Sequence, residues 1–278
     1  MIAHPVRRPA VAGTWYPASA GALAAEVDRY LAAVPATVPT EGIRALVVPH
    51  AGLVYSGPVA AWAYRSVQRG PFDVAVLVGP SHHVGFDGVA IHARGAFDTP
   101  LGPALIAEGV AAALLAATPV VHDSPIAHAR EHSLEMQLPF LRRVLPSTPI
   151  VPLIMGYQTD ETVRSLADGL ARALAGREAL LVASSDLSHY LDARTARAVD
   201  STVLDLVSRF DPDGLLAVLR EQPDHACGGG PIVAVMLAAR ALGARAGTVL
   251  RYADSGDVSG DTSAVVGYMA AAFGTFEA

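Results

Sequence analysis

A chain of 278 residues with 52% hydrophobic and 17% charged residues has ample apolar material for one large core and a composition that argues against extensive disorder. A net charge of −6, with no basic run and no interleaved aromatics, excludes the electrostatic footprint of a nucleic-acid binder. All 20 basic residues are arginine, which removes Schiff-base and P-loop lysine chemistry, and the single cysteine, Cys227, excludes an internal disulfide or a multi-cysteine metal cluster.

The first 20 residues read as an extended segment carrying AGTWYP, with no apolar signal core behind the early arginines. No apolar stretch is long enough to span a bilayer, so the expectation is a cytoplasmic protein with no membrane partner. Helical spacing over 22–33 is followed by a Pro/Thr-rich link and the apolar strand Leu46–Val48, which ends at His50. Ser56 or Gly57 is expected to cap the next helix, with Pro58 in its first turn and Gly70 past its end. A second strand, 72–78, ends in Gly79-Pro80-Ser81-His82-His83. A short strand at 89–93 and a turn at Thr99-Pro100-Leu101-Gly102 precede an Ala-rich helix expected near 103–116.

From His122 to Leu145 polar residues crowd together, and Leu134, Leu138 and Leu141 have helical spacing that Pro139 must kink or start. Strand 150–155, helix 162–174 and strand 179–183 follow, the last running into Ser184-Ser185-Asp186-Leu187-Ser188-His189. Helices are expected at 193–208 and 212–220, then Cys227-Gly228-Gly229-Gly230-Pro231 opens the apolar helix 232–242. Strands 248–252 and 264–270 close the chain. Strands alternating with helices give an α/β fold, a single three-layer α/β/α domain over residues 1–278 with a parallel or mixed central sheet; strand order is left open.

Three strands end in histidine, and in open α/β sheets ligands bind beyond the carboxyl ends of the strands. His50, His82 and His189 are therefore expected on one rim, with His83 a neighbour facing the other way. Cys227 stands among glycines at a helix opening, where backbone N–H groups lower a thiol pKa and favour a thiolate ligand. Two imidazoles and one thiolate suit zinc, iron or copper and leave open positions. Asp186 is read as orienting a neighbour such as His189. His128-Ala129-Arg130-Glu131-His132 also matches H-x-x-E-H, an inverted zinc-peptidase pattern with Glu131 as base. The alternative for Glu131, His132 and Glu135 is that they line the same crevice, or act only as caps and surface groups.

Taken together, AGTWYP, PHAGLVYSG, GPSHH, TPLG, EHSLEMQLPFL, SSDLSHY, CGGGPI, SGD and VVGY resemble the Memo family, including bacterial proteins called AmmeMemoRadiSam system protein B. Leu53 departs from the Tyr often found there and alters the pocket wall. The resemblance implies a fold similar to class III extradiol dioxygenases. It places His50 and His82 as metal ligands, Cys227 in the carboxylate's place and His189 as the catalytic base, with iron or copper as the metal. It also implies AMMECR-type and radical-SAM proteins as partners.

The leading expectation is thus a mononuclear metal-dependent redox protein acting on a small molecule, with His189 and Asp186 as catalytic groups. A scaffold that uses the crevice for a peptide or protein partner is the alternative from another class. The zinc peptidase of His128, Glu131 and His132 is the third.

Overall fold

A computed structural model describes residues 6–68 and 70–276 of the chain. Its first half contains β1 (Val6–Arg7), α1 (Ala20–Ala32), β2 (Ile43–Val48), α2 (Leu53–Ser66), β3 (Val74–Pro80), β4 (Val89–Ile91), β5 (Ala96–Phe97), β6 (Ala104–Leu105), α3 (Glu108–Ala117), β7 (Val121–Asp123) and α4 (Pro125–His128). A 3-10 turn, Glu135–Gln137, leads into α5 (Leu138–Val144), followed by β8 (Ile150–Met155), α6 (Asp160–Ala173), β9 (Ala179–Ser184) and β10 (His189–Leu191). The chain closes with α7 (Ala193–Ser208), α8 (Pro212–Glu221), a 3-10 turn at Pro223–His225, α9 (Gly229–Ala241), β11 (Ala246–Asp254), α10 (Gly256–Ser259) and β12 (Val265–Gly274).

The main sheet has the order β10-β12-β2-β9-β3-β8-β4-β7, with β11 also paired to β12. Its centre, β2-β9-β3-β8, is parallel; β12 joins β2 and β4 joins β8 antiparallel. The sheet is therefore mixed. β2 leads through α2 to β3 and skips a place, which β9 later fills from the other side. That reversal opens a crevice at the carboxyl ends of β2, β9 and β3.

The central strands are apolar along their whole length because helices cover both faces. Leu46, Val47, Leu77, Leu181 and Val182 are fully buried, each contributing about 1.5–3 kcal/mol on burial. α2, backed by α1 and α5, covers β2, β11 and β12; α9, backed by α6 and α8, covers β9, β3 and β2. The three-layer α/β/α expectation holds.

Two local expectations are corrected. α2 starts at Leu53 and holds Pro58 in its interior, so neither Ser56 nor Gly57 caps it, and it ends at Ser66. Ser56 instead donates its hydroxyl to Ala51 O at 2.7 Å. The carbonyl that Pro58 cannot bond, four residues back on the half-exposed Val54, lies in the first helical turn where water can reach it. The helix expected from 103 starts only at Glu108, because Ala104–Leu105 turns back at Gly102 (φ 97°) to pair with β5. Pro139 sits in the first turn of α5, where a missing N–H costs nothing.

Candidate metal centre

Because β2, β9 and β3 are parallel neighbours, the residues beyond their ends meet. Val48 pairs with Ser184 in register, and Ser185 N–H donates to Val48 O at 2.9 Å. His50 comes off β2, His82 off β3, and Ser184 to Asp186 lie between them at the end of β9 and just beyond it. The ring centroids of His50 and His82 are 5.2 Å apart.

The third ring is His132. It reaches the crevice on a segment clamped to both strand ends: Ser133 donates its hydroxyl to Pro80 O at 2.9 Å, and Ser133 O accepts from Ser184 Oγ at 2.6 Å. Gly79 makes that approach possible, since a Cβ there would stand 2.8 Å from the Ser133 hydroxyl. His132 lies 4.5 Å from His82 and 5.6 Å from His50, centroid to centroid. Among the described residues, His50, His82 and His132 form a group whose ligand atoms all lie within 4.8 Å of one another and could hold a metal ion.

Glu131 organises two of the three. Its carboxylate accepts His82 N–H at 2.6 Å, His82 Nδ1 at 2.9 Å, and the N–H groups of His132 and Ser133, each at 2.9 Å. Burial works to raise its pKa, but the His82 ring and backbone bonds and the Ser133 bond outweigh it and hold the carboxyl far below the usual range. An ionised Glu131 makes His82 Nδ1 the donor and leaves Nε2 free. A ligand histidine whose other nitrogen donates to a carboxylate is a recurrent device of metal sites. Burial also keeps His50 neutral and lowers His132 to about 4, with charge repulsion from His82 adding to both. Neutral imidazoles are what a metal requires.

Cys227 is close by but differs from expectation. Its Sγ lies 3.3 Å from His50 Nε2 and accepts Asp186 N–H at 3.3 Å. The glycine after it is needed for this approach, because a Cβ on Gly228 would stand 2.5 Å from Ser184 O. The expected pKa lowering is overturned: burial and the Asp186 charge push the thiol up more strongly than the backbone and Ser185 hydrogen bonds lower it.

Asp186 supports His50, not His189. Its Oδ1 accepts His50 N–H at 2.7 Å, and burial raises it to about 7 against the backbone bonds from His50 and Ala51. His189 begins β10 and lines, with His82 and Cys227, a cavity of about 840 Å³ that also includes Tyr190, Leu191 and Pro223. Burial lowers its pKa, while the Leu187 carbonyl accepts from its ring. The carboxylate nearest in role is Asp200, fully buried, which accepts Ser188 N–H at 3.0 Å and the Tyr252 hydroxyl at 2.8 Å.

The H-x-x-E-H residues do not share a helical face, because α4 ends at His128. His128 is buried with Nε2 3.1 Å from Ala90 O, away from the three-histidine group. Glu131 and Glu135 are buried, so they are not surface groups. Glu135 anchors the N-terminal segment, taking Arg7, the N–H groups of Ala10 and Val11, and the Tyr16 hydroxyl at 2.7 Å. That anchoring lays the Trp15 ring 4.3 Å from His132, which explains the AGTWYP stretch. His83 is exposed, at 6.0 Å from His132.

The family model for Memo-like protein matches residues 7–272. The chain belongs to the Memo family. Curated Memo-family relatives include a MEMO1 family protein (MTH_45) of Methanothermobacter thermautotrophicus, 38% identical over 95% of this chain and 98% of its own length. Those of Sulfolobus acidocaldarius, 36% identical over 97% and 99%, and Ignicoccus hospitalis, 38% over 96% and 98%, are similar throughout. A crystal structure of the uncharacterized protein JW3007 from Escherichia coli K12 covers 84% of this Memo-family chain and 100% of its own, with TM-score 0.59 at 17% identity, a likeness of fold. Among the described residues no helix is long and apolar enough to cross a membrane.

Proposed function

We propose that this Memo-family protein holds one redox-active transition metal, iron or copper, on His50, His82 and His132, with the Cys227 sulfur as an adjoining donor, and acts on a small molecule admitted by the neighbouring cavity. The observation that carries this is the grouping of the three imidazoles within 4.8 Å, together with the occupation of Nδ1 of His50 and His82 by Ser184 and Glu131. Imidazole donors suit zinc, copper and iron over magnesium or calcium, and a soft sulfur beside them strengthens that preference; iron or copper is proposed over zinc on the family resemblance. Such a metal supplies Lewis acidity and one-electron chemistry when bound.

The chain's own residues then have distinct tasks. Glu131 and Ser184 orient rings. His189 lines the cavity and is placed to move a proton to or from a bound molecule. Trp15, held by the N-terminal clasp on Glu135, packs its ring against His132 and limits that ring's freedom. AMMECR-type and radical-SAM proteins are proposed as partners on the family resemblance alone.

The test is metal content after anaerobic purification. Wild type should carry about one iron or copper ion per chain, and His50→Ala, His82→Ala and His132→Ala should each lose most of it. Retention of metal by all three variants would refute the site.

A further inference from the structure

We propose that Ser184 is a positioning residue that sets the ring tautomer of His50. Two backbone carbonyls, which can only accept, fix where every proton of this network goes. Gln137 Nε2 lies 3.1 Å from Pro49 O, so that end of the amide is the nitrogen. Its second hydrogen reaches Ser184 Oγ at 2.7 Å, while Gln137 Oε1 accepts the Tyr64 hydroxyl at 2.9 Å. Ser184 Oγ in turn lies 2.6 Å from Ser133 O, and its one proton must go there.

The remaining contact of Ser184 Oγ is His50 Nδ1 at 3.0 Å. With its proton spent, the oxygen can only accept, so the ring supplies the hydrogen. His50 is therefore the Nδ1–H tautomer, and its bare Nε2 faces Cys227 and the other imidazoles. Tyr64, Gln137 and Ser184 are 0% exposed and His50 2%, so no outside water competes for these bonds. The opposite tautomer would set two lone pairs against each other or break the bond to Ser133 O.

The placement follows from topology. Ser184 ends β9 between the strands that deliver His50 and His82; Gln137 reaches it from α5's leading turn, and Tyr64 on α2 fixes the other end of that amide. Sequence alone marks Ser184 only as a strand-end hydroxyl. The consequence for metal affinity rests on the reading given under Proposed function; the tautomer does not.

The experiment is a long-range ¹H–¹⁵N correlation spectrum of the metal-free protein, with the His50 ring assigned by its absence from His50→Gln. Nδ1 is expected as the protonated nitrogen and Nε2 as the bare one. Ser184→Ala should populate the Nε2–H form and weaken Zn²⁺ binding about 10–100-fold in chelator competition. Gln137→Met should keep the Nδ1–H form, because Ser133 O still takes the hydroxyl proton. A wild-type Nε2–H ring, or Ser184→Ala with Nδ1–H unchanged, overturns the proposal, and the wild-type spectrum decides even if a variant fails to fold. Full Zn²⁺ affinity in His50→Gln would instead sink the metal reading and leave the tautomer assignment standing.

Discussion

Cys227 Sγ and His50 Nε2 stand 3.3 Å apart, the imidazole buried and the cysteine half-buried in the cavity wall. Because burial disfavours the thiolate and keeps the imidazole neutral, the thiol proton has two acceptors within reach, the His50 Nε2 lone pair at 3.3 Å and Asp186 O at 3.7 Å. A metal must use that same lone pair. If the sulfur then joins it, the thiol proton has to leave.

Metal uptake at pH 7.5 should therefore release about one proton per ion from wild type and about none from Cys227→Ala, measured with a weakly buffered indicator. The metal-free thiol should also alkylate slowly, since its thiolate is disfavoured. Equal proton release from both proteins would show that Cys227 stays outside the metal's shell.

Glu131 gathers four N–H or ring donors in a space nearly closed to water. Glu131→Gln replaces one acceptor oxygen with an NH₂ that faces donors. It should cost about 1–3 kcal/mol of stability and weaken metal binding about 10–100-fold, read by urea denaturation and chelator competition. Unchanged metal affinity would mean the histidines hold their orientation without it.

The positions of His50 and His82 were legible because each follows an apolar strand directly, and parallel strands put such residues on one rim. His132 was not. It follows a four-residue helix, and what brings it in are contacts far apart in sequence, from Ser133 to Pro80 and Ser184 and from Glu135 to Arg7 and Tyr16. Asp186 shows a second limit: SSD placed it at the rim, but only the pairing of β9 with β2 reveals that it faces the His50 backbone. For Cys227 the glycine signal was right about close approach and misleading about charge, because burial outweighs the donors around the sulfur.

His128 gives the fold a defined acid sensitivity. Burial and the proximity of His92, followed by Arg7, lower its pKa from 6.5 to about 3, against the Ala90 carbonyl and the Glu131 charge, which raise it. A lowered histidine pKa means that the unfolded chain binds a proton below pH 6.5 that the folded chain refuses. Stability should therefore fall as pH drops from 6.5 toward 3, by about 2 kcal/mol from this residue at pH 5. His128→Met, which does not titrate, should flatten the dependence of the urea midpoint between pH 7 and pH 5. An identical pH slope in both proteins would contradict this.

Three histidines that sequence patterns could each nominate should separate in one metal-binding series. His132→Ala removes a ring from the group within 4.8 Å and should lower Zn²⁺ or Cu²⁺ affinity by at least about tenfold. His128→Ala should leave affinity nearly unchanged, because its ring is turned to Ala90 O, while costing stability through a buried cavity. His189→Ala should bind one ion with wild-type affinity, since His189 lines the cavity from the rim and is not one of the three grouped imidazoles. Its loss should appear only in turnover, once a substrate is found. Isothermal titration at pH 7.5, with folding checked by circular dichroism, distinguishes the cases. Metal loss in His128→Ala as well as in His132→Ala would restore the peptidase motif, which needs both histidines as ligands. Metal loss in His189→Ala would move that residue from proton transfer to metal ligation.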